Sequence, residues 1–443
     1  MFTLSKGENQ KKTKLDRIGE LAASQKDVVF NNIGHVVDLD LLTECYQQLD
    51  RKKAVGIDGV TKEAYGKSLE VNLQRLLIEI RKGAYKPQPS RIVEIPKEDG
   101  STRPLAISCL EDKIVQLAVS KILTGIYEPL FLPCSYGYRE GMNAHDALRA
   151  LMASNNKHEN GRVVEIDLRK YFNTIPHRVL MGILQEKISD KRFLNLVETL
   201  LRSPIMEDGK AKLNEVGCPQ GSVTSPILAN IYLHACIDSW FHKISETHMQ
   251  GRTELVRYVD DMVFVFENQK DAERFYQVLP KRLTRFGLEL HEGKSSIIPS
   301  GRKAAELANK RGDQLPIYKF LGFICYWGRS RKGAWRLKYK SRGDRLTAKL
   351  KGLRSHLKDC LHEDTHSVTK RVIRIIRGWI NYHAITDNSY RVNTFIHRCR
   401  NILYWWRNRK GGQRRLTWER FDRLLKKFNY PVSFKTTSMF GAY

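Results

Sequence analysis

The stretch RYVDDMVFVF, residues 257–266, places two carboxylates side by side between two apolar, β-prone segments. Asp260 and Asp261 are the residues between these segments that tolerate a tight turn, so the sequence predicts a β-hairpin with both acids at its bend. Two like charges this close repel each other unless a cation lies between them. The pair therefore indicates a divalent metal bound by carboxylate oxygens, although an isolated Asp-Asp pair is more often an ordinary solvated turn.

A further carboxylate follows a second apolar segment. RVVEIDL, residues 162–168, predicts a buried strand with Asp167 near its end, about ninety residues before the hairpin. Asp167 alone could be a helix cap. If the hairpin pairs with this strand in one antiparallel sheet, Asp167 becomes the third acid of a two-metal site. Two Mg²⁺ ions roughly 3.5–4 Å apart would then activate a 3′ hydroxyl and stabilise the departing pyrophosphate.

The charge of the chain indicates a polyanionic partner. It carries 76 Lys plus Arg against 48 Asp plus Glu, a net charge of +28. Between Arg329 and Lys427 there are 28 basic residues and 7 acidic ones. Nucleic acid is the commonest polyanion that such a surface binds, whereas a surface of one charge sign is a costly way to stay soluble.

Length and composition indicate a folded protein of the cell interior. A chain of 443 residues predicts roughly two to four domains of about 150 residues each. No apolar run approaches the roughly 20 residues of a membrane span, and the N-terminus lacks the apolar core of a signal peptide. We therefore expect a cytoplasmic protein with no membrane partner. Eight scattered cysteines without a C-x-x-C pair favour buried reduced thiols over zinc ligands or disulfides; they are Cys45, Cys109, Cys134, Cys218, Cys236, Cys325, Cys360 and Cys399.

Local patterns predict the main helices and a second hairpin. Helical spacing is present in LDLLTECYQQLDRKK, in SLEVNLQRLLIEIRKG with its terminal Gly, and in CLEDKIVQLAVSKILTGIYEPLF. RIVEI and RPLAI flank a KEDGS loop and predict two paired strands. Thr417 is the predicted N-cap of a last amphipathic helix. Three apolar ladders predict the helices of a small bundle: Leu346, Leu350, Leu353 and Leu357; Val368, Val372, Ile375 and Trp379; Val392, Ile396, Cys399 and Leu403.

Five motifs in this order, EIDLRKYFNTI, GCPQGSVTSPILANIYL, RYVDDMVFVF, GLELHEGKS and FLGF, resemble the palm motifs of reverse transcriptases. More narrowly, AVGIDGV, RPLAISCLEDKIVQ, SYGYREGMNAHDALRAL and GWINYH are similar to group II intron-encoded reverse transcriptases, also called maturases. The resemblance runs from about residue 40 to 430, and it implies a bacterial, nucleoid-associated protein. It implies an RNA-directed DNA polymerase of the α+β class with a right-hand architecture, in which fingers and an antiparallel palm sheet precede an α-helical thumb, or domain X.

The resemblance also implies a division of the chain. Residues 1–40 are an N-terminal extension with one or two short helices, 41–160 the fingers and 161–335 the palm with its Asp triad. Residues 336–410 are the helical thumb or domain X, and 411–443 a basic segment that resembles the start of a DNA-binding domain. The Cys- and His-containing endonuclease domain of some relatives is expected to be absent.

Roles for single residues follow from the resemblance. Asp167, Asp260 and Asp261 match the catalytic metal ligands, with the Leu168 carbonyl as a further ligand of two Mg²⁺ ions, which Mn²⁺ could replace. Phe172 matches the ring that lies under the incoming sugar and excludes a 2′ hydroxyl; the alternative is a core phenylalanine. The remaining nucleotide contacts implied are Lys97, Arg103, Gln220 and Lys294, of which Lys294 resembles a lysine that protonates pyrophosphate. The candidate nucleic-acid-binding residues are Arg371, Arg374, Arg377, Arg398, Arg400, Arg414 and Arg415.

The chain departs from the family pattern at several positions. Val259 stands where relatives usually carry Ala, Ser222 where they carry Gly, and GYREGMN replaces GFRPGRS. A β-branched residue beside the catalytic acids would narrow the pocket near the primer end. Such drift leaves open a domesticated enzyme of DNA repair or antiphage defence.

Two other classes of function stay open. One is a non-catalytic RNA-binding splicing factor, against which the three acids argue. The other is an RNA-dependent RNA polymerase, against which Phe172 argues. Expected partners of the polymerase are an RNA template, a DNA or RNA primer, dNTPs, and a cognate intron or noncoding RNA. The sequence does not reveal the oligomeric state.

Overall fold

The computed structural model describes residues 13–96, 102–207, 209–410 and 415–440, which combine helices with small sheets. In chain order the α-helices are α1 (Lys14–Ser24), α2 (Leu39–Gln48), α3 (Lys62–Gly66), α4 (Leu69–Lys82), α5 (Leu110–Tyr127), α6 (Ala144–Lys157), α7 (Tyr171–Thr174), α8 (His177–Gln185), α9 (Lys191–Leu201), α10 (Ser225–Leu233), α11 (Ser239–Thr247), α12 (Gln269–Arg285), α13 (Arg302–Lys310), α14 (Gly343–Asp359), α15 (Thr365–His383), α16 (Ser389–Lys410) and α17 (Trp418–Lys427). The strands are β1 (Ser90–Pro96), β2 (Thr102–Ile107), β3 (Gly161–Ile166), β4 (Ile205–Glu207), β5 (Lys210–Lys212), β6 (Thr253–Tyr258), β7 (Asp261–Phe266), β8 (Ser296–Ser300), β9 (Tyr318–Phe320), β10 (Phe323–Arg329) and β11 (Trp335–Ser341). The α+β class predicted from the sequence is confirmed.

The chain folds into two compact units, and each draws on three separate stretches of sequence. Unit 1 comprises Met1–Met142, Ile166–Met249 and Phe275–Lys294; unit 2 comprises Asn143–Glu165, Gln250–Arg274 and Ser295–Tyr443. By contrast, the sequence prediction assigns one continuous stretch of chain to each of the fingers, palm and thumb. Their boundaries, at residues 40, 160, 335 and 410, stay predictions.

Unit 1 is organised around α5, whose apolar residues are nearly all buried. Helices α1 and α2 pack against it, so part of the predicted N-terminal extension belongs to the folded core of this unit. A capping box formed by Thr13 and Asp16 begins α1. Helix α4 ends at Gly83, which has a φ of 67° and so supplies the left-handed conformation expected of the terminal Gly in the sequence.

A four-stranded sheet of unit 1 has the order β2-β1-β4-β5. Strands β1 and β2 pair antiparallel from Arg91 opposite Ile107 to Pro96 opposite Thr102, which confirms the second predicted hairpin. Its KEDGS loop lies outside the described residues. Strand β4 joins β1 in parallel, and β5 pairs with β4. These two strands have only three residues each, which is too short for an alternating pattern to predict them.

Unit 2 holds the sheet that carries the Asp-Asp hairpin, with the order β6-β7-β3-β8. Strands β6 and β7 pair antiparallel from Thr253 opposite Phe266 to Tyr258 opposite Asp261. Gly161, which begins β3, lies against the end of β7, since a Cβ atom there would be 2.5 Å from the carbonyl oxygen of Phe266. Neighbouring strands β3 and β7 therefore run in opposite directions. The predicted pairing of the hairpin with the VVEI strand in an antiparallel sheet is confirmed.

Helices α14, α15 and α16 form the predicted apolar cluster, and α17 adds Phe421 and Leu425 to it. All ladder positions on α14 and α16 are buried. On α15 the prediction is wrong at one position: Ile376 is fully buried, whereas Ile375 is only partly buried. Val372 and Ile376 are four residues apart, so their side chains lie on the same face of α15, and this is the face that the bundle buries.

Seven of the eight cysteines are buried free thiols, as the sequence predicts, while Cys134 is only half-buried. Across the described ranges, no helix combines the length and the apolar character that a membrane crossing requires.

Candidate active site

The turn between β6 and β7 is built differently from the sequence prediction. Asp261 is already the first residue of β7 and pairs with Tyr258, so Val259 and Asp260, and not the two aspartates, form the bend. Val259 has a φ of 58°, in the left-handed region. Turn propensity favours Asp260 and Asp261 for the bend, but the structure places the β-branched Val259 there. A β-branched residue at positive φ is strained, by about 1–3 kcal/mol.

Buried neighbours hold this strained turn. The Val259 side chain is 6% exposed, so leaving the conformation would expose apolar surface. Arg257, on β6, is fully buried, and its Nη1 donates a hydrogen bond of 3.2 Å to the carbonyl oxygen of Val259. A buried guanidinium is costly unless it is well paired, so its position beside the acids indicates a role in fixing the turn. Sequence reasoning missed Arg257; the signal was a charged residue inside an apolar strand.

The two aspartates of the hairpin differ in exposure. Asp260 is half-buried and Asp261 is exposed. Tyr382, in the GWINYH motif of α15, lies close enough to Asp261 for the charge of that carboxylate to affect its hydroxyl. Burial raises the pKa of the Tyr382 hydroxyl to about 12; the positive charge of Arg345 opposes this rise, and the negative charge of Asp261 adds to it. The hydroxyl donates to the carbonyl oxygen of Leu321 at 2.9 Å, which fixes the ring.

Asp167 directly follows β3, the strand next to β7 in the sheet order. Within unit 1 its backbone oxygen accepts a hydrogen bond of 2.8 Å from the His291 N–H. Leu168 is buried and forms an antiparallel bridge with Leu290. The Lys294 Nζ lies 3.1 Å from Asp167 Oδ2. The GLELHEGKS segment therefore attaches to the Asp167 backbone and brings the Lys294 ammonium to its carboxylate.

The predicted metal ligands are described within each unit. Asp260 and Asp261 share one hairpin, and Asp167 pairs with Lys294. Among the residues that the structure describes, no three His, Cys, Asp or Glu side chains form a group that could hold a metal ion. The chemistry of the donors still fits Mg²⁺, because carboxylate and carbonyl oxygens are the hard ligands it prefers. The assignment of Asp167, Leu168, Asp260 and Asp261 as metal ligands stays a prediction.

The PQG loop of unit 1 is bound to strand β2. The Ala106 N–H donates to the carbonyl oxygen of Gln220 at 2.6 Å. Gly221 has a φ of 110°, and a Cβ atom on it would lie 2.3 Å from the Ala106 carbonyl oxygen. The Gln220 Oε1 is buried and has no hydrogen-bond partner among the described residues. An unsatisfied buried acceptor is costly unless a ligand or water pairs with it, which supports Gln220 as a ligand contact.

Cys218, just before this loop, is fully buried, and burial raises the pKa of its thiol to about 12. It is therefore a core residue, which agrees with the simpler of its possible roles.

Phe172 is placed differently from its buried neighbour. Tyr171 is 2% exposed and donates to the carbonyl oxygen of Ala229 at 2.7 Å. The Phe172 ring is only partly buried and meets the Tyr171 ring edge-on at 5.3 Å. Tyr171 is thus the core aromatic, while Phe172 keeps an accessible face. Arg103 is exposed on β2 opposite Ile95, and Lys97 lies outside the described residues.

The predicted nucleic-acid-binding arginines fall into two groups. Three make contacts that hold the helices together: Arg371 pairs with Glu363, Arg377 donates to the Asn429 carbonyl oxygen, and Arg400 binds both oxygens of Asp422. The other described members are exposed, namely Arg374, Arg398 and Arg415. Arg414 lies outside the described residues. Nucleic-acid binding by either group stays a prediction.

The sequence of the chain is similar to that of several known proteins. The profile of the family described as "Reverse transcriptase (RNA-dependent DNA polymerase)" matches residues 95–325, which is more than half of the chain. The chain is 38% identical over 206 residues to "Protein YkfC" of Escherichia coli (strain K12) and 32% identical over 225 residues to "Group II intron-encoded protein LtrA" of Lactococcus lactis subsp. cremoris. It is 26% identical over 161 residues to "Nuclear intron maturase 4, mitochondrial" of Arabidopsis thaliana.

These matches cover 46%, 50% and 36% of this chain and 53%, 37% and 20% of the three relatives, respectively. The chain thus spans about half or less of the length of the curated relatives it matches.

Proposed function

The chain belongs to the reverse transcriptase family, and on this premise we propose that it is an RNA-directed DNA polymerase that extends a primer 3′ hydroxyl on an RNA template. The observation that carries the proposal is the antiparallel β6–β7 hairpin, with Asp260 at its bend and Asp261 beside it. Strand β3, next to β7, ends one residue before Asp167. Two-metal phosphoryl transfer needs carboxylates that converge on two ions, and we propose that Asp167 supplies the third of them.

In this proposal Asp167, Asp260 and Asp261 hold two Mg²⁺ ions, with the Leu168 carbonyl as a further ligand and Mn²⁺ as a possible substitute. When bound, the ions make the 3′ hydroxyl a better nucleophile and neutralise charge on the leaving pyrophosphate. Arg257 keeps the Asp260 backbone in place through the Val259 carbonyl. Lys294, already 3.1 Å from Asp167, holds a proton that it can give to pyrophosphate.

Selection of the nucleotide is proposed to use Phe172, Gln220 and two cations of the β1–β2 hairpin. The accessible face of Phe172 suits contact with a deoxyribose, and the unsatisfied Gln220 Oε1 suits a donor on the nucleotide or template. Arg103 and Lys97 would bind the triphosphate, for which guanidinium and ammonium groups are the usual ligands.

We expect Phe172→Ala to admit ribonucleotides. Removing the ring opens space where a 2′ hydroxyl would otherwise clash, so incorporation of rNTPs relative to dNTPs should rise by about tenfold or more. Single-nucleotide extension with each nucleotide type gives the two kcat/KM values. Tyr171→Phe is the matched control, because it keeps the core ring and removes only its hydroxyl. An unchanged rNTP-to-dNTP ratio in Phe172→Ala would assign Phe172 to packing alone.

We also propose that the chain is of the group II intron type and binds structured intron RNA as a maturase. Two relatives carry the names group II intron-encoded protein and intron maturase. The excess of basic residues between Arg329 and Lys427 gives the chain a surface for RNA.

Primer extension tests the polymerase proposal. The full chain is incubated with Mg²⁺, dNTPs and a DNA primer annealed to RNA or DNA of the same sequence. Synthesis on RNA that requires the divalent ion supports the proposal. Salt-sensitive RNA binding without synthesis on either template would contradict it and leave the RNA-binding splicing factor as the better interpretation.

A further inference from the structure

A groove between α14 and α16 lies outside every residue assigned to catalysis. It encloses about 560 Å³. Its floor is apolar, with Leu350 and Leu357 buried beneath it, and Leu361 at one end is 40% exposed. Cavities of this size and character accept groups as large as a nucleobase.

The rim of the groove is strongly basic. Lys351, Arg354 and Lys358 follow each other on α14 at spacings that place them on one face. Arg398 and Arg409 lie opposite on α16, and no lining residue is acidic. None of these five cations forms an ion pair with another residue in the part of the chain that the structure describes. Five unneutralised cations around one cavity favour binding of a polyanion.

An exposed tryptophan stands among these charges. Trp405 is 65% exposed, whereas the adjacent Trp406 is 5% exposed and donates its Nε1–H to the Leu357 carbonyl oxygen. Trp406 is therefore part of the bundle core, whereas most of the Trp405 side chain faces solvent. Trp405 therefore offers an accessible aromatic face beside the cations of the rim. Stacking of an unpaired base on such a ring, with phosphates held by adjacent Lys and Arg, is the common way in which proteins bind single strands.

From these observations we propose that the α14–α16 groove binds a single-stranded RNA segment, with one unpaired base stacked on Trp405. The phosphates on either side are held by Arg354 and Lys351 on one helix and by Arg398 and Arg409 on the other. Unpaired RNA loops offer splayed bases, and the Asn401 amide in the groove can hydrogen-bond a 2′ hydroxyl. An acidic peptide would match the cations but has no flat ring for Trp405.

This groove lies within the basic region Arg329–Lys427 proposed above to bind RNA, so the inference rests on that RNA binding and specifies its place, while it does not depend on the polymerase activity. Only Arg398 belongs to the arginines predicted from the sequence to grip a template and primer. The signal missed in the sequence was YWWRNRK, two tryptophans inside a basic run at the end of α16.

The test measures binding without primer or dNTPs, so that failure of polymerase activity cannot affect it. The probe is fluorescein-labelled oligo(U) of about 12 nucleotides, long enough to span one single-strand site. Trp405→Ala is the informative variant because it changes no charge, and we expect its Kd for oligo(U) to rise by about tenfold. Tyr390→Ala is the matched control, since Tyr390 is a 79% exposed aromatic residue of the same helix outside the groove. Its Kd should stay within about twofold of the parent value.

Three further measurements test the identity of the occupant. Oligo(U) should quench the tryptophan fluorescence of the parent more than that of Trp405→Phe, and Arg354→Glu should weaken binding further than Trp405→Ala does. Unlabelled oligo(U) should compete better than oligo(dT), duplex RNA or poly-glutamate. A Trp405→Ala variant that binds like the parent would overturn the proposal, as would oligo(dT) or poly-glutamate competing equally well or better.

Discussion

Replacing Asp260 and Asp261 together by asparagine is expected to reduce primer extension on RNA by about a thousandfold or more. Asparagine keeps the size of each side chain but removes the negative charge that a divalent cation needs. The bend at Val259 and the buried Arg257 contact involve the backbone, so the hairpin should keep its conformation. The variant raises the net charge of the chain from +28, and its affinity for RNA should therefore not fall.

Three measurements make this result interpretable. Single-turnover extension gives the loss in the chemical step, filter binding gives the affinity for template and primer, and thermal unfolding reports on the fold. Asp313→Asn is the matched control, because Asp313 is exposed and lies away from the hairpin in the sequence. Synthesis within tenfold of the parent in the double variant, with intact RNA binding, would contradict the assignment of these two acids as metal ligands.

Elements with strong local signals were predictable from the sequence. The β6–β7 hairpin, the β1–β2 hairpin and the three apolar helices follow from alternating or helical spacing of apolar residues, which records burial on one face. Thr417 is confirmed as the N-cap of α17, accepting a hydrogen bond from the Arg420 N–H at 3.4 Å. In each case the residues that define the element are neighbours in the sequence.

Features set by tertiary contacts were not predictable in this way. Turn propensity favoured Asp260 and Asp261 for the bend, but burial of Val259 and its bond to Arg257 hold a less suited residue there. On α15 the sequence prediction placed Ile375 in the core, but the packing of the bundle buries Ile376 in its place. The groove beside Trp405 depends on how α14 and α16 approach, which no local pattern records.

The candidate site also combines residues that the sequence predicts with contacts that only the structure shows. Sequence order and motif spacing identified Asp260, Asp261 and Asp167 as candidates, and their role as metal ligands stays a prediction. Pairing of Lys294 with Asp167 and the buried, unsatisfied Gln220 Oε1 could be learned only from the structure. Both depend on segments that are far apart in the chain.

Gly221→Ala is expected to impair the enzyme strongly. Its φ of 110° is open essentially only to glycine, and the added Cβ would meet the Ala106 carbonyl oxygen at 2.3 Å and Leu105 at 3.0 Å. Because β2 backbone cannot yield as a flexible side chain can, the loop must move. That movement breaks the 2.6 Å bond from the Ala106 N–H to the Gln220 carbonyl. We expect destabilisation of about 2–3 kcal/mol and a fall in kcat/KM for dNTP of about a hundredfold.

Gly83→Ala is the matched control, because Gly83 also has a positive φ, 67°, but an added Cβ would meet no atom within 4 Å. It should cost only the conformational strain, about 1 kcal/mol, with little change in kcat/KM. Gln220→Ala separates the two effects of moving the loop, since it keeps the backbone bond to Ala106 and removes the unsatisfied Oε1. If Gln220 contacts the nucleotide, this variant should raise KM for dNTP without lowering the unfolding temperature. A Gly221→Ala protein as active and as stable as the Gly83→Ala control would show that the loop does not need its contact with β2.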